Sequence, residues 1–286
     1  MAPWYYLVAN ALALLAAALL GWRSRRLGTR AFAGCLTLAA GLMALRSFLY
    51  AHPEYEQHLL RLSDDYVYFV TWEAPLAVLM IFGLAARLPA VDAAGRRVRR
   101  LILISTVLLA PLFLQHSVAS CLQPRYNMAA RFDPEGICRQ ATSFSCGPAA
   151  GVTLARMAGR RVSEGEMARL CLLRPGRGVT ALELRRGLDI ALRAVGRRAR
   201  LQRVDDAGLA HLPPPFLAQL RREERPEHCV VALQCSGGTV VLGDPAAGLR
   251  RVTLDWFLER WTGLVVTVSP ELDDAIAGLP GDAGSR

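Results

Sequence analysis

Apolar positions divide the chain into two parts with different hydrophobic patterns. In the first 120 residues they form four long runs, which are residues 2–21, Ala31–Tyr50, Tyr66–Ala86 and Leu101–Ser120. A helix needs about 20 predominantly apolar residues to cross a bilayer, and each run is of that order. The pattern predicts an α-helical membrane bundle with four transmembrane helices over residues 1–120, with the lipid bilayer as its partner.

The first run has a second interpretation as a cleaved signal peptide. Such a peptide begins with a positively charged region, whereas here the arginines follow the apolar run. Trp4, Tyr5 and Tyr6 are placed like an interfacial aromatic belt. We therefore predict a retained helix.

After residue 120 the apolar positions recur over shorter segments. Helical spacing predicts helices that begin at Cys146 and cover Glu164–Leu172 and Ala181–Ala194, the last with Thr180 as N-cap and Glu183 three residues on. These helices indicate a second, folded domain.

A β-hairpin is predicted later in the same domain. Glu227–Leu233 has the composition of a strand, Ser236–Gly238 that of a turn, and Thr239–Leu242 that of the returning strand. Helices and strands together predict an α+β domain over residues 121–270, followed by a flexible tail over residues 271–286.

Charged residues flank the predicted spans unevenly. Arginines crowd the loops after the first and third spans, namely Arg23, Arg25, Arg26, Arg30, Arg87, Arg96, Arg97, Arg99 and Arg100. The loop after the second span is acidic, with Glu54, Glu56, Asp64 and Asp65 against Arg61. Because cytoplasmic loops carry an excess of basic residues, we predict a multi-pass inner-membrane protein whose second domain is on the extracytoplasmic side.

The basic residues also exclude some functions. The net charge is +10, and all 34 basic residues are arginine. A Walker-type ATP site is excluded, because its loop needs a lysine. Membrane orientation accounts for the arginine-rich loops, and the other arginines are not interleaved with aromatic residues, so no nucleic acid partner is predicted.

The first candidate for chemistry is Cys146, which is followed by Gly147 and Pro148. Proline suits the first turn of a helix, so the cysteine is expected at a helix N-terminus. The helix dipole favours a thiolate there, and a thiolate is a nucleophile if a base stands nearby. The alternative is a buried structural cysteine at a helix start.

His228 and Asp244 supply the base and its partner. His228 opens the first strand of the predicted hairpin and Asp244 follows the second, so the hairpin can bring them together. A cysteine, a histidine and an aspartate meet the requirements for nucleophile, base and orienting group. His211 is a rival base, but it lacks a strand context and is interpreted as a surface residue.

Cys146, His228 and Asp244, in this order along the chain and with the residues around them, resemble the motifs of family 39 of the cysteine peptidases. Members of this family are bacteriocin-leader-processing peptidases with a papain-like fold. The matching blocks are Gln140, Cys146–Ala150, His228–Val231, Gly243–Ala246 with Gly248, Leu254–Phe257 and Trp261–Gly263. Family members fused to ATP-driven exporters carry an ATP-binding cassette. We expect here a membrane-anchored form without it, with a separate export system as a candidate partner.

The resemblance implies a thiol protease that cleaves a peptide or precursor-protein substrate, such as a leader cut after Gly-Gly. Cys146 would attack the scissile carbonyl, His228 would transfer the proton, and Asp244 would hold the imidazole. The Gln140 side chain would donate to the oxyanion, together with the Cys146 N–H. No cofactor is predicted, and no C-x-x-C or similar metal spacing occurs.

Seven cysteines occur in the chain. Cys35 is in the second predicted span, and five others share the second domain with Cys146, namely Cys121, Cys138, Cys171, Cys229 and Cys235. An oxidising compartment permits disulfides. Because five is an odd number, at least one of these is expected to stay free, and sequence does not give the pairing.

Three alternatives stay open. One is a catalytically silent peptide-binding domain on a membrane sensor or transport accessory protein, against which the complete Cys-His-Asp set argues. A second makes the four spans the functional unit, a small transporter or sensor, although few charged residues lie within them. The third is an amidase or acyltransferase on the same fold, which the sequence does not distinguish from a peptidase.

Overall fold

The computed structural model describes residues 4–55, 73–87, 93–106, 126–221 and 227–270. They belong to two compact units, Met1–Leu122 and Gln123–Arg286. Several predictions lie outside the described residues: the tail over 271–286, Cys121, most of the fourth span, and the charges Glu56, Arg61, Asp64 and Asp65 of the acidic loop.

The described part of the first unit is helical. Its helices are α1 (Trp4–Arg23), α2 (Thr29–Ala51), α3 (Glu73–Arg87) and α4 (93–106), with a 3-10 turn (Ser24–Arg26) after α1. Leu14 of α1 packs with Val78 of α3. At the end of α3, Arg87 Nη2 donates to Ser24 O (3.0 Å) and Leu27 O (2.7 Å). The end of α3 and the α1–α2 loop therefore lie together.

One helix of the described residues is long and apolar enough to cross a membrane, over Thr29–Leu49. Two others, Val8–Arg23 and Pro75–Arg87, are apolar but shorter. The bundle of four spans therefore stays a prediction. Large apolar side chains are nevertheless exposed on α1 at helical spacing, at Val8, Leu12, Leu15 and Leu19.

The second unit combines helices and strands, as predicted. Its helices are α5 (Cys146–Met157), α6 (Glu164–Leu170), α7 (Ala181–Leu192), α8 (Asp206–Leu209) and α9 (Leu254–Arg260), with a 3-10 turn (Arg193–Val195) after α7. The strands are β1 (Arg131–Phe132), β2 (Cys138–Arg139), β3 (Arg197–Arg203), β4 (Phe216–Leu220), β5 (His228–Ser236), β6 (Thr239–Asp244), β7 (Gly248–Thr253) and β8 (Trp261–Pro270).

Six strands form one antiparallel sheet in the order β3-β8-β4-β5-β6-β7, and β1 and β2 form a separate pair. Successive residues of the central strands point to opposite faces of the sheet, and each face is packed in a separate hydrophobic core. Phe216 and Val230 belong to a cluster with Phe257 of α9. Leu217 and Cys229, the intervening positions, lie near residues of α7. The middle of the sheet is thus covered on both faces.

The predicted local signals are present in the second unit. Thr180 and Glu183 form the predicted capping box at the start of α7, each side chain bonding the other's backbone N–H. The β5–β6 turn has Gly237 and Gly238 with φ of +58° and +71°, the conformation that makes a tight hairpin turn need glycine. The predicted hairpin is confirmed, with β5 extending to Ser236.

Close packing of α6 against α7 depends on Gly187, which is buried within α7. A Cβ atom there would lie 2.8 Å from Cys171 N and 2.2 Å from Cys171 Sγ. The equivalent Cβ at Gly151, inside α5, would meet only flexible side-chain atoms of Met167 and Leu184, at 3.3 Å and 3.4 Å.

We predict that Gly187→Ala lowers the melting temperature of the full chain in detergent, while Gly151→Ala changes it little. Both changes gain about 1 kcal/mol of helix propensity, but overpacking against backbone costs about 1–3 kcal/mol. Equal melting temperatures for the two variants would show that α6 and α7 are not in backbone contact.

Candidate active site

Cys146 is the first residue of α5, as predicted, and the helix begins with the bond from Ala149 N to Ser145 O (3.0 Å). Gly147 allows the first turn of α5 to lie close to Val179, because a Cβ atom on this residue would be only 2.3 Å from Val179 Cγ2. The Cys146 side chain is half-buried. Cys146 therefore lies at a helix N-terminus that packs tightly against its neighbours because the residue after it has no side chain.

The β5–β6 hairpin brings His228 and Asp244 together. Val231 pairs with Gly243, so the first residue of β5 and the last residue of β6 meet at the same end of the sheet. His228 Nε2 is 2.7 Å from Asp244 Oδ1, and both side chains are buried. With Nε2 bonded to the carboxylate, Nδ1 is the nitrogen left to interact with Cys146, which helps to raise the pKa of His228.

Asp244 is held as a carboxylate by several donors. Its Oδ1 accepts from Ala246 N (2.8 Å) and Ala247 N (3.3 Å) as well as from His228. Arg250 Nη1 lies 3.6 Å from Oδ2. Burial would raise the pKa of Asp244, but the hydrogen bond from His228 and the backbone donors outweigh it, and the pKa falls to about 2.

The pKa values of Cys146 and His228 move in opposite directions. A hydrogen bond from the Cys229 thiol does most to lower the pKa of Cys146 to about 4, against the effect of burial and with help from His228. Burial would lower the pKa of His228, but the hydrogen bonds to Asp244 and Cys146 outweigh it and raise the pKa. These opposite shifts favour a thiolate–imidazolium pair over a neutral thiol and imidazole.

Gln140 lies in the loop ahead of α5, and its backbone N–H donates to Pro245 O (3.0 Å) in the turn after Asp244. Its side-chain Nε2 donates to Thr142 O (2.7 Å). Because an amide nitrogen carries two hydrogens, one N–H is left for another acceptor. Gln140 Oε1 is buried without a hydrogen-bond partner among the described residues.

Two residues at the site were not predicted. Cys229 follows His228 directly, and neighbouring strand residues point to opposite faces, so no sequence signal places it beside Cys146. Glu164 looks like an ordinary acid at a helix start. In the structure it is fully buried, and its Oε1 accepts from Ala141 N (2.9 Å). Glu164 thus supports the loop between Gln140 and Cys146.

The rival base and most of the cysteines can also be placed. His211 is exposed in the turn after α8, which agrees with its interpretation as a surface residue. The six described cysteines are all free thiols: Cys35, Cys138, Cys146, Cys171, Cys229 and Cys235.

A cysteine at a helix N-terminus beside a buried histidine–aspartate pair, on an α+β fold, has the arrangement of a cysteine-type peptidase. The Peptidase C39 family model matches residues 135–273, and these contain Gln140, Cys146, His228 and Asp244. The chain belongs to the Peptidase C39 family.

Individual relatives match the same part of the chain. An uncharacterized protein of Methanothermobacter marburgensis is 32% identical over 148 residues, which are 52% of this chain and 98% of that protein. The probable functional amyloid protease FapD of Pseudomonas aeruginosa is 32% identical over 136 residues, 45% of this chain and 58% of FapD. The chain thus matches little more than half the length of FapD.

A solved structure is similar in the same region. It is a double-glycine-motif protease from an AMS/PCAT transporter in complex with the leader peptide, with a TM-score of 0.41 and 21% identity. The similarity covers 52% of this chain and 99% of that one.

We predict that iodoacetamide alkylates Cys146 with a pH midpoint near the lowered pKa of about 4, rather than near the ordinary value for a thiol. The reactive pair should persist as pH rises until His228 loses its proton, above its ordinary 6.5 because its pKa is raised. Mass spectrometry of the peptide Gln140–Arg156 measures the rate.

His228→Ala is the matched variant, because it removes the imidazolium and leaves the helix N-terminus intact. The midpoint should then move to higher pH. Circular dichroism at each pH shows that the protein is still folded. A midpoint near 9 in the unsubstituted chain would contradict the thiolate–imidazolium pair.

Proposed function

We propose that this protein is a membrane-anchored cysteine peptidase that cleaves a leader or precursor peptide through a covalent acyl-enzyme on Cys146. The observation that carries the proposal is the buried His228 Nε2–Asp244 Oδ1 contact of 2.7 Å, together with the lowering of the Cys146 pKa by His228. This geometry supplies a nucleophile, a proton carrier and an orienting carboxylate in one line of contacts.

Acylation begins with the attack of the Cys146 thiolate on the scissile carbonyl carbon. The imidazolium of His228 then donates its proton to the departing amine, and a thioester forms on Cys146. Asp244 keeps the imidazole oriented and stabilises its charged form. In deacylation the neutral His228 removes a proton from water, the hydroxide attacks the thioester, and the thiolate is restored.

Negative charge develops on the carbonyl oxygen in both steps. The Cys146 N–H is one donor for it, because the first N–H groups of a helix have no partner within that helix. The second N–H of the Gln140 side chain is the other. The bonds from Gln140 to Pro245 and Thr142 support this role, since they fix the loop that presents the amide.

The substrate proposal follows from family membership and from the resemblance to leader-processing peptidases. A bond after a small-residue pair such as Gly-Gly is the proposed cleavage site. Because the Pseudomonas aeruginosa relative is named as a functional amyloid protease, a functional amyloid protein is a second candidate class of substrate. A separate export system is the proposed partner for the released peptide.

Membrane anchoring is supported by features of the first unit. The apolar helix over Thr29–Leu49 has the length for a span, and the exposed apolar stripe of α1 suits contact with lipid. The bonds from Arg87 to the α1–α2 loop support one common side for the two arginine-rich loops. We propose four spans, with the arginines in the cytoplasm and the peptidase unit outside.

The test of the function is a comparison of released peptides. Membranes from cells with the unsubstituted chain and with Cys146→Ala are incubated, and the peptides are identified by mass spectrometry. We expect a peptide that appears only with the unsubstituted chain and ends after a small-residue pair. Identical peptide sets would contradict the proposal.

For Gln140→Ala we expect turnover of such a peptide to fall by on the order of 10²–10³ with a much smaller change in KM, because the amide acts mainly on the transition state. Gln140→Glu should be at least as damaging, since a carboxylate would face the oxyanion. Steady-state kinetics measure both. Unchanged turnover in Gln140→Ala would remove Gln140 from the mechanism.

A membrane-impermeant thiol reagent should label Cys146 in intact spheroplasts if the peptidase unit is outside. Cys146→Ala is the control, because it shows how much of the label resides on other thiols. Labelling of Cys146 only after the membrane is opened would contradict the proposed orientation.

A further inference from the structure

A second thiol lies against the nucleophile. Cys229, the second residue of β5, is 4% exposed, and its thiol and main-chain N–H both lower the pKa of Cys146. Its sulfur also lies beside the first turn of α5, 3.8 Å from the position that a Cβ atom on Gly147 would occupy. The Cys229 thiol therefore lies beside the end of α5 that carries Cys146.

The two thiols differ in access and in charge. Cys146 is half-buried, so a small molecule from solvent can reach it. Cys229 is buried, and the hydrogen bond to Cys146 together with burial raises its pKa well above 9.0. An oxidant should therefore react at Cys146, because the thiolate is the reactive form and Cys146 is the less buried of the two cysteines.

We propose that Cys146 and Cys229 form a reversible redox pair, in which a peroxide oxidises Cys146 and Cys229 then captures the product as a disulfide. This inference rests on the proposed function, because it needs Cys146 to be the reactive thiolate. Its consequence is a peptidase that an oxidant switches off and a thiol reductant switches on again.

The chemistry takes two steps. The Cys146 thiolate attacks an oxygen of the peroxide; an S–O bond forms, the O–O bond breaks, and water or an alcohol leaves after taking up a proton. Sulfur is thereby oxidised by two electrons to the sulfenic acid and the peroxide is reduced. Cys229 sulfur then attacks the Cys146 sulfur, the S–S bond forms, and the hydroxyl group leaves with the Cys229 proton as water.

The neighbouring thiol protects Cys146 from damage. A sulfenic acid without a thiol partner is oxidised further to sulfinic acid, which thiol reductants do not reverse. The sulfurs must approach to about 2.05 Å to form the bond. Rotation of the Cys146 side chain at the helix tip is the movement available for this approach.

The test treats the purified full chain with hydrogen peroxide, blocks free thiols with N-ethylmaleimide, and maps disulfides by mass spectrometry before and after reduction. Trypsin places Cys146 in the peptide Gln140–Arg156, but Cys229 and Cys235 share the peptide Glu223–Arg250. Cys235→Ser makes the assignment unique, and it is also the matched control from the same strand.

We expect a Cys146–Cys229 link in the unsubstituted chain and in Cys235→Ser, with the Cys146 thiol recovered after reduction. In Cys229→Ser and Cys229→Ala the same dose should convert Cys146 to sulfinic acid, and the recovered thiol should fall several-fold. Because the link is measured in the unsubstituted chain, misfolding of a Cys229 variant does not decide the result.

Any of three results would contradict the redox pair. These are resistance of Cys146 to oxidation by the peroxide, oxidation of Cys146 to sulfinic acid in the unsubstituted chain, and a disulfide between Cys146 and a cysteine other than Cys229. Iodoacetamide alkylation of the same sample separates these from failure of the proposed function. A Cys146 that is alkylated rapidly but never links to Cys229 is a nucleophile without a redox partner.

Discussion

The hydrogen bond between His228 Nε2 and Asp244 Oδ1 is the interaction on which the site depends. Both side chains are buried, and a buried charge is tolerated only when it is paired and hydrogen-bonded. Asp244 supplies the negative charge that keeps His228 protonated, and protonated His228 helps to keep Cys146 a thiolate. Removal of one partner from a buried ion pair typically costs about 3–5 kcal/mol, so each of the three groups needs the others.

The fold meets this requirement by bringing separate segments to one end of the sheet. The β5–β6 hairpin sets His228 beside Asp244, and the turn after Asp244 holds the Gln140 loop through Pro245. Glu164 supports the other part of that loop by accepting a hydrogen bond from Ala141 N. The same packing places the Cys229 thiol beside the end of α5 that carries Cys146, so the proposed nucleophile and the proposed redox partner share one environment.

In the second unit, the sequence predicts those features that depend only on residues close together in the chain, such as helix starts, caps and tight turns. Pro148 and the small residues near it indicate a helix start, the Gly237-Gly238 pair indicates a hairpin, and Thr180 indicates a cap. The position of β4 in the middle of the sheet and the burial of Glu164 depend on contacts between residues distant in sequence, so no local pattern contains them. In the first unit, apolar length predicts spans but does not specify how they are arranged.

The most direct measurement of the central claim is the mass of the enzyme quenched in acid during turnover of a cleavable peptide. We expect a transient thioester that carries the N-terminal part of the substrate, located on Cys146 within Gln140–Arg156 and absent from Cys146→Ser. Cleavage that continues in Cys146→Ser, or an acyl group on another residue, would contradict it.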